Sequence, residues 1–194
     1  PSRPFYDLSI IYRWVLHADK DDFSSAVINN NLAMQLGFTE EQLYRLAVEN
    51  TKRILPPAVK SVDGLLNEIR ESVCEMENHI PSELTDRAGS IPPELNMWVI
   101  PNNFDINGAV AMLYEDVLYT LAKRLGAGLY IMPSSIHEVM AVADTVFCPD
   151  ILAGLVMEAN REVVSLEERL SDQVYHYDRT LRKLTPCSGP DKDL

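Results

Sequence analysis

Gly128-Leu129-Tyr130-Ile131-Met132-Pro133-Ser134-Ser135-Ile136-His137-Glu138-Val139-Met140-Ala141-Val142 is the stretch on which the fold turns. Residues 128–132 are a short apolar run opened by glycine and closed by proline, and they read as a strand. The residues after Pro133 admit two readings. Ser135-Ile136-His137-Glu138 has the S-x-x-E spacing of a capping box, in which the serine hydroxyl accepts from the glutamate amide and the carboxylate reaches back. Ile136, Val139, Met140 and Ala143 would then share one helical face. If 136–143 is instead a strand, Ser135 and His137 share a face about 6 to 7 Å apart, and Glu138 points the other way. The capping-box reading leads, because it needs no ligand.

Working outward, the spacing predicts strands over 97–100 and 108–113, then a helix over 115–125 stopped by Gly126. A helix over 149–164 opens with Pro149 in its first turn. The stretch 172–178 carries both periods and leans to strand. In the first half, 7–17 is a nearly continuous β-branched and aromatic run that predicts one buried strand. Asp19 to Asp22 make a polar turn, and 23–28 returns as a hairpin partner, with a short helix from Ser25 as the alternative. Thr39-Glu40-Glu41-Gln42 has the capping-box form and starts a helix over 40–55, broken at Pro56-Pro57. Val59, Val62, Leu66, Ile69, Val73 and Met76 form the seam of a further helix over 57–76. Three prolines, Gly89 and two serines mark 77–96 as a long loop. The whole predicts one α+β domain over 1–184: a mostly antiparallel sheet of the N-terminal and second-half strands, covered by these amphipathic helices. Residues 185–194 read as a disordered tail.

The bulk numbers narrow the function. The 194 residues carry a net charge of −12, with a sequence pI near 4.7, which opposes binding to phosphate backbones or anionic lipid. Nucleic acid and membrane are therefore not expected partners. Arg179, Arg182 and Lys183 gather locally but are diluted by Asp172, Asp178 and Asp191. Cys74, Cys148 and Cys187 cannot all pair within one chain and form no C-x-x-C unit, which suits a reducing cytoplasm. No apolar run is long enough to span a bilayer, and no basic-then-apolar leader stands at the start. The chain opens on Pro1 instead of methionine, which leaves room for a preceding segment. Although an N-terminal proline can be a catalytic amine, Ser2-Arg3-Pro4 separates this one from the first strand.

Chemistry concentrates on the polar cluster. Ser134 or Ser135 as nucleophile, His137 as base and Glu138 as orienter would make a hydrolase centre, but no G-x-S-x-G elbow surrounds them. A zinc protease helix needs a second histidine four residues after His137, and that position is Ala141. His17, His79 and His176 are scattered, so no metal site is expected, and no cofactor either. Gly126-Ala127-Gly128 precedes a strand instead of following one, unlike a dinucleotide fingerprint. Asn102-Asn103-Phe104-Asp105-Ile106-Asn107-Gly108 reads mainly as turn chemistry, with Asn102 and Asn103 able to bring amides to a ligand beside His137 and Glu138. Asn50 and Asn160 are unusual on apolar-faced helices.

Asp7-Leu8-Ser9-Ile10-Ile11-Tyr12, Ala47 to Thr51, Gly108-Ala109, Pro133-Ser134-Ser135-Ile136-His137-Glu138-Val139, Glu158-Ala159-Asn160 and Leu170-Ser171-Asp172 with Val174-Tyr175 together resemble a domain-of-unknown-function family. That family is found mainly in anaerobic Gram-positive bacteria, and the resemblance runs from about Tyr6 to Asp178. It implies a bacterial cytoplasmic origin and no particular activity, substrate or catalytic residue. Where its members commonly carry leucine and a hydroxyl residue, this chain has Ile100 and Pro101. The function expected is a non-catalytic ligand-binding or protein-interaction module, its partner an unspecified protein or small molecule. The alternatives are the hydrolase and a phage-related or toxin-system accessory protein.

Overall fold

The computed structural model describes residues 1–19, 22–65 and 95–187. Two hairpins open the chain. Strand β1 (Ser2–Phe5) pairs with β2 (Leu8–Ile11) across a turn at Tyr6, whose φ of 56° is left-handed; β3 (Arg13–Ala18) pairs with β4 (Phe23–Val27), with a register shift between Val15 and His17. Helix α1 (Asn30–Leu36) is capped by the Asn29 side chain and stopped by left-handed Gly37. In α2 (Glu40–Ile54) the capping box is complete: Gln42 N donates to Thr39 Oγ1 at 3.3 Å and Thr39 N to Gln42 Oε1 at 2.9 Å.

Strands β5 (Lys60–Ser61), β6 (Trp98–Ile100), β7 (Leu129–Met132), β8 (Val139–Ala143), β9 (Tyr175–Asp178) and β10 (Lys183–Pro186) form one antiparallel sheet in the order β10-β9-β7-β8-β6-β5. Period-two alternation sorts its side chains to two faces. Leu129, Ile131, Val139, Ala141, Tyr175 and Tyr177 face a 3₁₀-helix (Gly108–Leu113) and α3 (Glu115–Leu125), whose Leu118, Leu121 and Ala122 complete the main core. Met132, Val142 and Val174 face α4 (Pro149–Glu162) through Leu152 and Val156. Tyr12, Ile28, Ala33 and Leu43 make a third, smaller core beneath the hairpins and α2. Fully burying an aliphatic side chain contributes about 1.5–3 kcal/mol, so most of the stability lies in the two clusters on the six-stranded sheet.

The α+β architecture and the helix over Glu115–Leu125 agree with the sequence, but several elements differ for identifiable reasons. Residues 7–17 are not one buried strand in the main sheet. Tyr12 divides them between two hairpins, and Ile11, Trp14 and Leu16 are 54%, 46% and 62% exposed. The expected strand over 108–113 is the 3₁₀-helix. Both edges of β6 are already paired, with β5 and β8, so a following strand has no edge beside it. The capping-box helix at Ser135–Glu138 does not form. Val139, Ala141 and Ala143 are wholly buried on one face of a central strand, and sheet pairing on both sides wins over a local helix start. The helix expected from 57 is displaced, because Pro57 bridges Asn102 and β5 takes the sheet edge. Helix begins only at residue 62, where Ser61 Oγ accepts from Gly64 N at 3.0 Å. The tail prediction fails at its start, since Thr185 and Pro186 pair with His176 and Tyr175; proline is tolerated at an outer edge. The rest of the 57–76 helix from 66, nearly all of the 77–96 loop and residues 188–194 lie outside the described residues.

The first hairpin is tied down by charge. Arg3 donates to both carboxylate oxygens of Glu40 at 3.0 Å, its guanidinium lies 3.7 Å from the centroid of the Tyr44 ring, and the Tyr12 hydroxyl donates to Glu40. The Arg3 bond, then the Tyr12 bond, hold the Glu40 carboxyl below its ordinary value of 4.5. A carboxyl lowered in the folded state stabilises fully above its unfolded value and loses that contribution as pH falls through the folded one. Urea unfolding measured across the acid range should show stability falling below the ordinary carboxylate pKa, with a shallower fall in Glu40→Gln. A second prediction concerns Gly108, where an added Cβ would lie 2.1 Å from the His137 carbonyl oxygen. Gly108→Ala should cost about 3 kcal/mol in urea unfolding, because neither backbone can retreat from the clash.

Candidate functional site

The loop 133–138 between β7 and β8 is held by backbone on two sides. Ile136 N donates to Glu168 O at 2.9 Å, Leu170 N to Ser134 O at 3.1 Å, Ser171 N to Pro133 O at 3.0 Å, and Ala109 N to Ile136 O at 3.2 Å. This clamp turns His137 outward into an open hollow of about 340 Å³ lined by Asp105, Ser135, His137, Glu138, Val163, Val164 and Glu168. The carboxylate nearest the ring belongs to Glu168, whose Oε1 is 3.5 Å from His137 Nε2. His137 Nδ1 is buried and makes no hydrogen bond. Ser135 Oγ accepts from His137 N at 3.0 Å, and Ser134 is half-buried with its carbonyl in the clamp. The chain thus brings Ser135, His137 and Glu138 to one hollow, but no nucleophile–base bond joins either serine to the ring. Among the described residues no three His, Cys, Asp or Glu side chains converge so as to hold a metal ion.

Asn102 and Asn103 take other places. The Asn102 side chain is spent on its own loop, donating to Ile106 O at 2.6 Å and accepting from Phe104 N at 2.8 Å, while Asn103 is exposed. Asn160 donates to Ser171 O at 3.0 Å and to Asp172 Oδ1 at 2.6 Å. Ser171 Oγ in turn donates to Asp7 Oδ2 at 2.6 Å, and the Tyr175 hydroxyl donates to Asp7 as well. Burial first, then Asp7, raise the Tyr175 phenol far above its ordinary value. Asp7 therefore pins the tip of the first hairpin to the main sheet, beside Tyr6, whose hydroxyl donates to Leu184 O at 2.6 Å. Another histidine–carboxylate pair, His176 Nε2 to Asp144 Oδ2 at 2.9 Å, lies at Gly128, where a Cβ would sit 2.3 Å from that oxygen.

A larger space lies elsewhere. Strands β2 and β3, helices α1 and α2 and the 3₁₀-helix enclose a groove of about 690 Å³, within the roughly 300–1,000 Å³ usual for small-molecule sites. Its walls are mainly apolar, with Ile10, Phe23, Leu43, Leu55, Val110 and Leu113 among them. Tyr114 also lines it and is only 7% exposed, yet its hydroxyl is buried without a hydrogen-bond partner. Burial, and secondarily Asp116, push that phenol up to about 12, so it stays a neutral donor at physiological pH. Lys52 lies 5.8 Å from the centroid of the Tyr114 ring and pairs with Asp116, whose carboxyl it holds below the ordinary range. Asn50 lines the same groove and accepts from Arg53 Nη2 at 3.0 Å. The sequence offered little sign of this space, because its lining comes one or two residues at a time from segments that read as ordinary amphipathic elements. Glu168 was likewise missed as the partner of His137, although it stands just before the Leu170-Ser171-Asp172 segment of the resemblance.

Fold and site together define an α+β protein with an apolar groove on its N-terminal layer and a polar hollow on its main sheet. The chain belongs to the family of unknown function DUF5688, whose model matches residues 1–179. Comparison with curated proteins and with solved structures found no match.

The Asp7 junction yields a direct test. Asp7→Ala should lower the free energy of unfolding by about 2 kcal/mol, because the Ser171 and Tyr175 hydroxyls lose their acceptor. Asp7→Asn, which keeps one acceptor oxygen, should lose about half as much in the same urea titration.

Proposed function

We propose that this protein is a non-catalytic binding module that holds a small, largely apolar molecule in the groove between its hairpins, α2 and the 3₁₀-helix. The observation that carries the reading is the Tyr114 hydroxyl, buried at a wall of a 690 Å³ apolar space with nothing to bond. A buried donor without an acceptor costs about 1–3 kcal/mol, and a ligand acceptor that parts the side chains covering it would recover that cost. Apolar walls with a few polar groups are the usual composition of a small-molecule site. The setting we infer is the cytoplasm of a Gram-positive anaerobe. Supporting it are the resemblance carried by the Pro133–Val139 motif and the free thiols of Cys148 and Cys187. Among the described residues no helix is long and apolar enough to cross a membrane. The charge of −12 favours a partner other than nucleic acid or anionic lipid.

A second reading places acid–base chemistry, or a polar ligand, at Ser134, Ser135, His137 and Glu138. One observation favours it: the imidazole shares an open hollow with Asp105, Glu138 and Glu168. It ranks second because Ser135 Oγ is engaged by the loop's own amide and Nδ1 contacts no hydroxyl.

The two readings separate in a dye titration. Nile red, an uncharged dye that brightens in apolar surroundings, should bind the native chain saturably, and Ala47→Phe, which fills the groove from α2, should abolish the signal while leaving the circular dichroism unchanged. Tyr114→Phe should raise the stability of the ligand-free protein by about 1 kcal/mol, because the orphan hydroxyl is gone. The same variant should weaken binding of any ligand that carries an acceptor. A Tyr114→Phe chain less stable than the native one, or Nile red binding indifferent to Ala47→Phe, would sink the groove reading.

A further inference from the structure

We infer that the groove selects an alkyl carboxylate, a fatty acid with its tail between the hairpins and α2 and its head at the rim. This rests on the groove reading above and adds the charge of the ligand. Asp and Glu make up 29 of the 194 residues, yet among the described residues none lines the groove, where the charged side chains are Arg13 and Arg53. In so acidic a chain, such a segregation gives the groove mouth a sign opposite to the rest of the surface.

Both arginines are exposed at the rim, and their partners are neutral. Arg13 Nε donates to Ser25 Oγ at 2.9 Å, and Arg53 Nη2 donates to Asn50 Oδ1 at 3.0 Å. Among the described residues neither forms an ion pair. Two carboxylates on the same elements are already committed: Glu40 to Arg3 and Tyr12, Asp116 to Lys52. An incoming anion therefore meets guanidinium groups with bonding capacity left over. A guanidinium matches a carboxylate through paired N–H donors. The tail would lie against aliphatic walls such as Ile10, Leu43, Leu46, Leu55 and Val110, where each buried methylene contributes about 0.8 kcal/mol. A cationic amphiphile would bring like charge to the same rim, and a neutral one would leave the arginines unused.

The test is displacement of Nile red from the intact chain by decanoate and by decanol, which share a tail length and differ in head charge, both kept below micelle-forming concentrations. Decanoate should displace the dye at about fivefold lower concentration, the preference expected of two exposed ion pairs, and added salt should shrink that preference. In the Arg13→Gln, Arg53→Gln double variant, with each titration normalised to that variant's own dye affinity, the preference should disappear. Decanol equal to or better than decanoate in the native chain overturns the carboxylate assignment and leaves the groove reading standing. Failure of both to displace a bound dye overturns the two together. Displacement seen only where the protein self-associates in sedimentation assigns the groove to a second copy of the chain and also overturns the inference.

Discussion

The structure depends on the main-chain clamp that receives the loop between β7 and β8. Proline and polar residues leave the centre of the sheet at Pro133, where an irregular backbone would strand its amides and carbonyls. Glu168, Leu170 and Ser171 supply partners on one side, and Ala109 supplies one on the other. Because these bonds are all to backbone, they specify the path of the loop without specifying its side chains, which leaves the His137 and Glu138 side chains free to line the hollow. The same clamp explains the close approach at Gly108, since Ala109 N can reach Ile136 O only if the preceding residue has no side chain to strike the His137 carbonyl.

Stability and binding capacity are distributed unevenly over this frame. The six-stranded sheet is closed by helices on both faces and buries Tyr175 and Tyr177 completely. The N-terminal layer has a small core and leaves Trp14, Leu36, Phe38 and Leu46 partly in water beside a groove that holds an unbonded phenol. Packing to native density would remove such a space, and closing it would need only larger side chains at Ala47 or Val110. An unfilled apolar space next to a well-filled core is the arrangement expected where a ligand completes the packing. Arg3, Glu40 and Tyr12 then act as the strut that keeps the first hairpin over α2 while the space beneath remains open.

Elements whose signals are local were legible in the sequence, and those decided by edges were not. The capping box at Thr39 and the stop at Gly126 are chemistry between neighbours, and both occur as read. Ser135 and Glu138 carry the same box spacing, yet β6 and β7 offer two open edges to residues 139–143, and no local pattern reports that. The alternation of Val139, Ala141 and Ala143 was there to be read, but small and β-branched residues fit a helix face as well as a strand. For Gly108 to Leu113 the error ran the other way, since a strand pattern found no edge left. The polar cluster was legible as a cluster. Its carboxylate partner was not, because Glu168 reaches it through the fold and not along the chain.

The groove and the loop that carries His137 meet at one short element, the 3₁₀-helix. Val110, Leu113 and Tyr114 line the groove, Asp105 lines the His137 hollow just before the same turn, and Asn107 at the join holds a left-handed φ of 54°. A 3₁₀-helix has poorer hydrogen-bond geometry than an α-helix and seldom runs beyond a few residues, so this one owes its position to what it touches. On the sheet side it touches the clamp, through Gly108 and Ala109. Its other side meets the groove, where ligand-free packing is incomplete. Whatever fills the groove therefore adds contacts to the less supported face of the element whose Ala109 anchors the loop that carries His137.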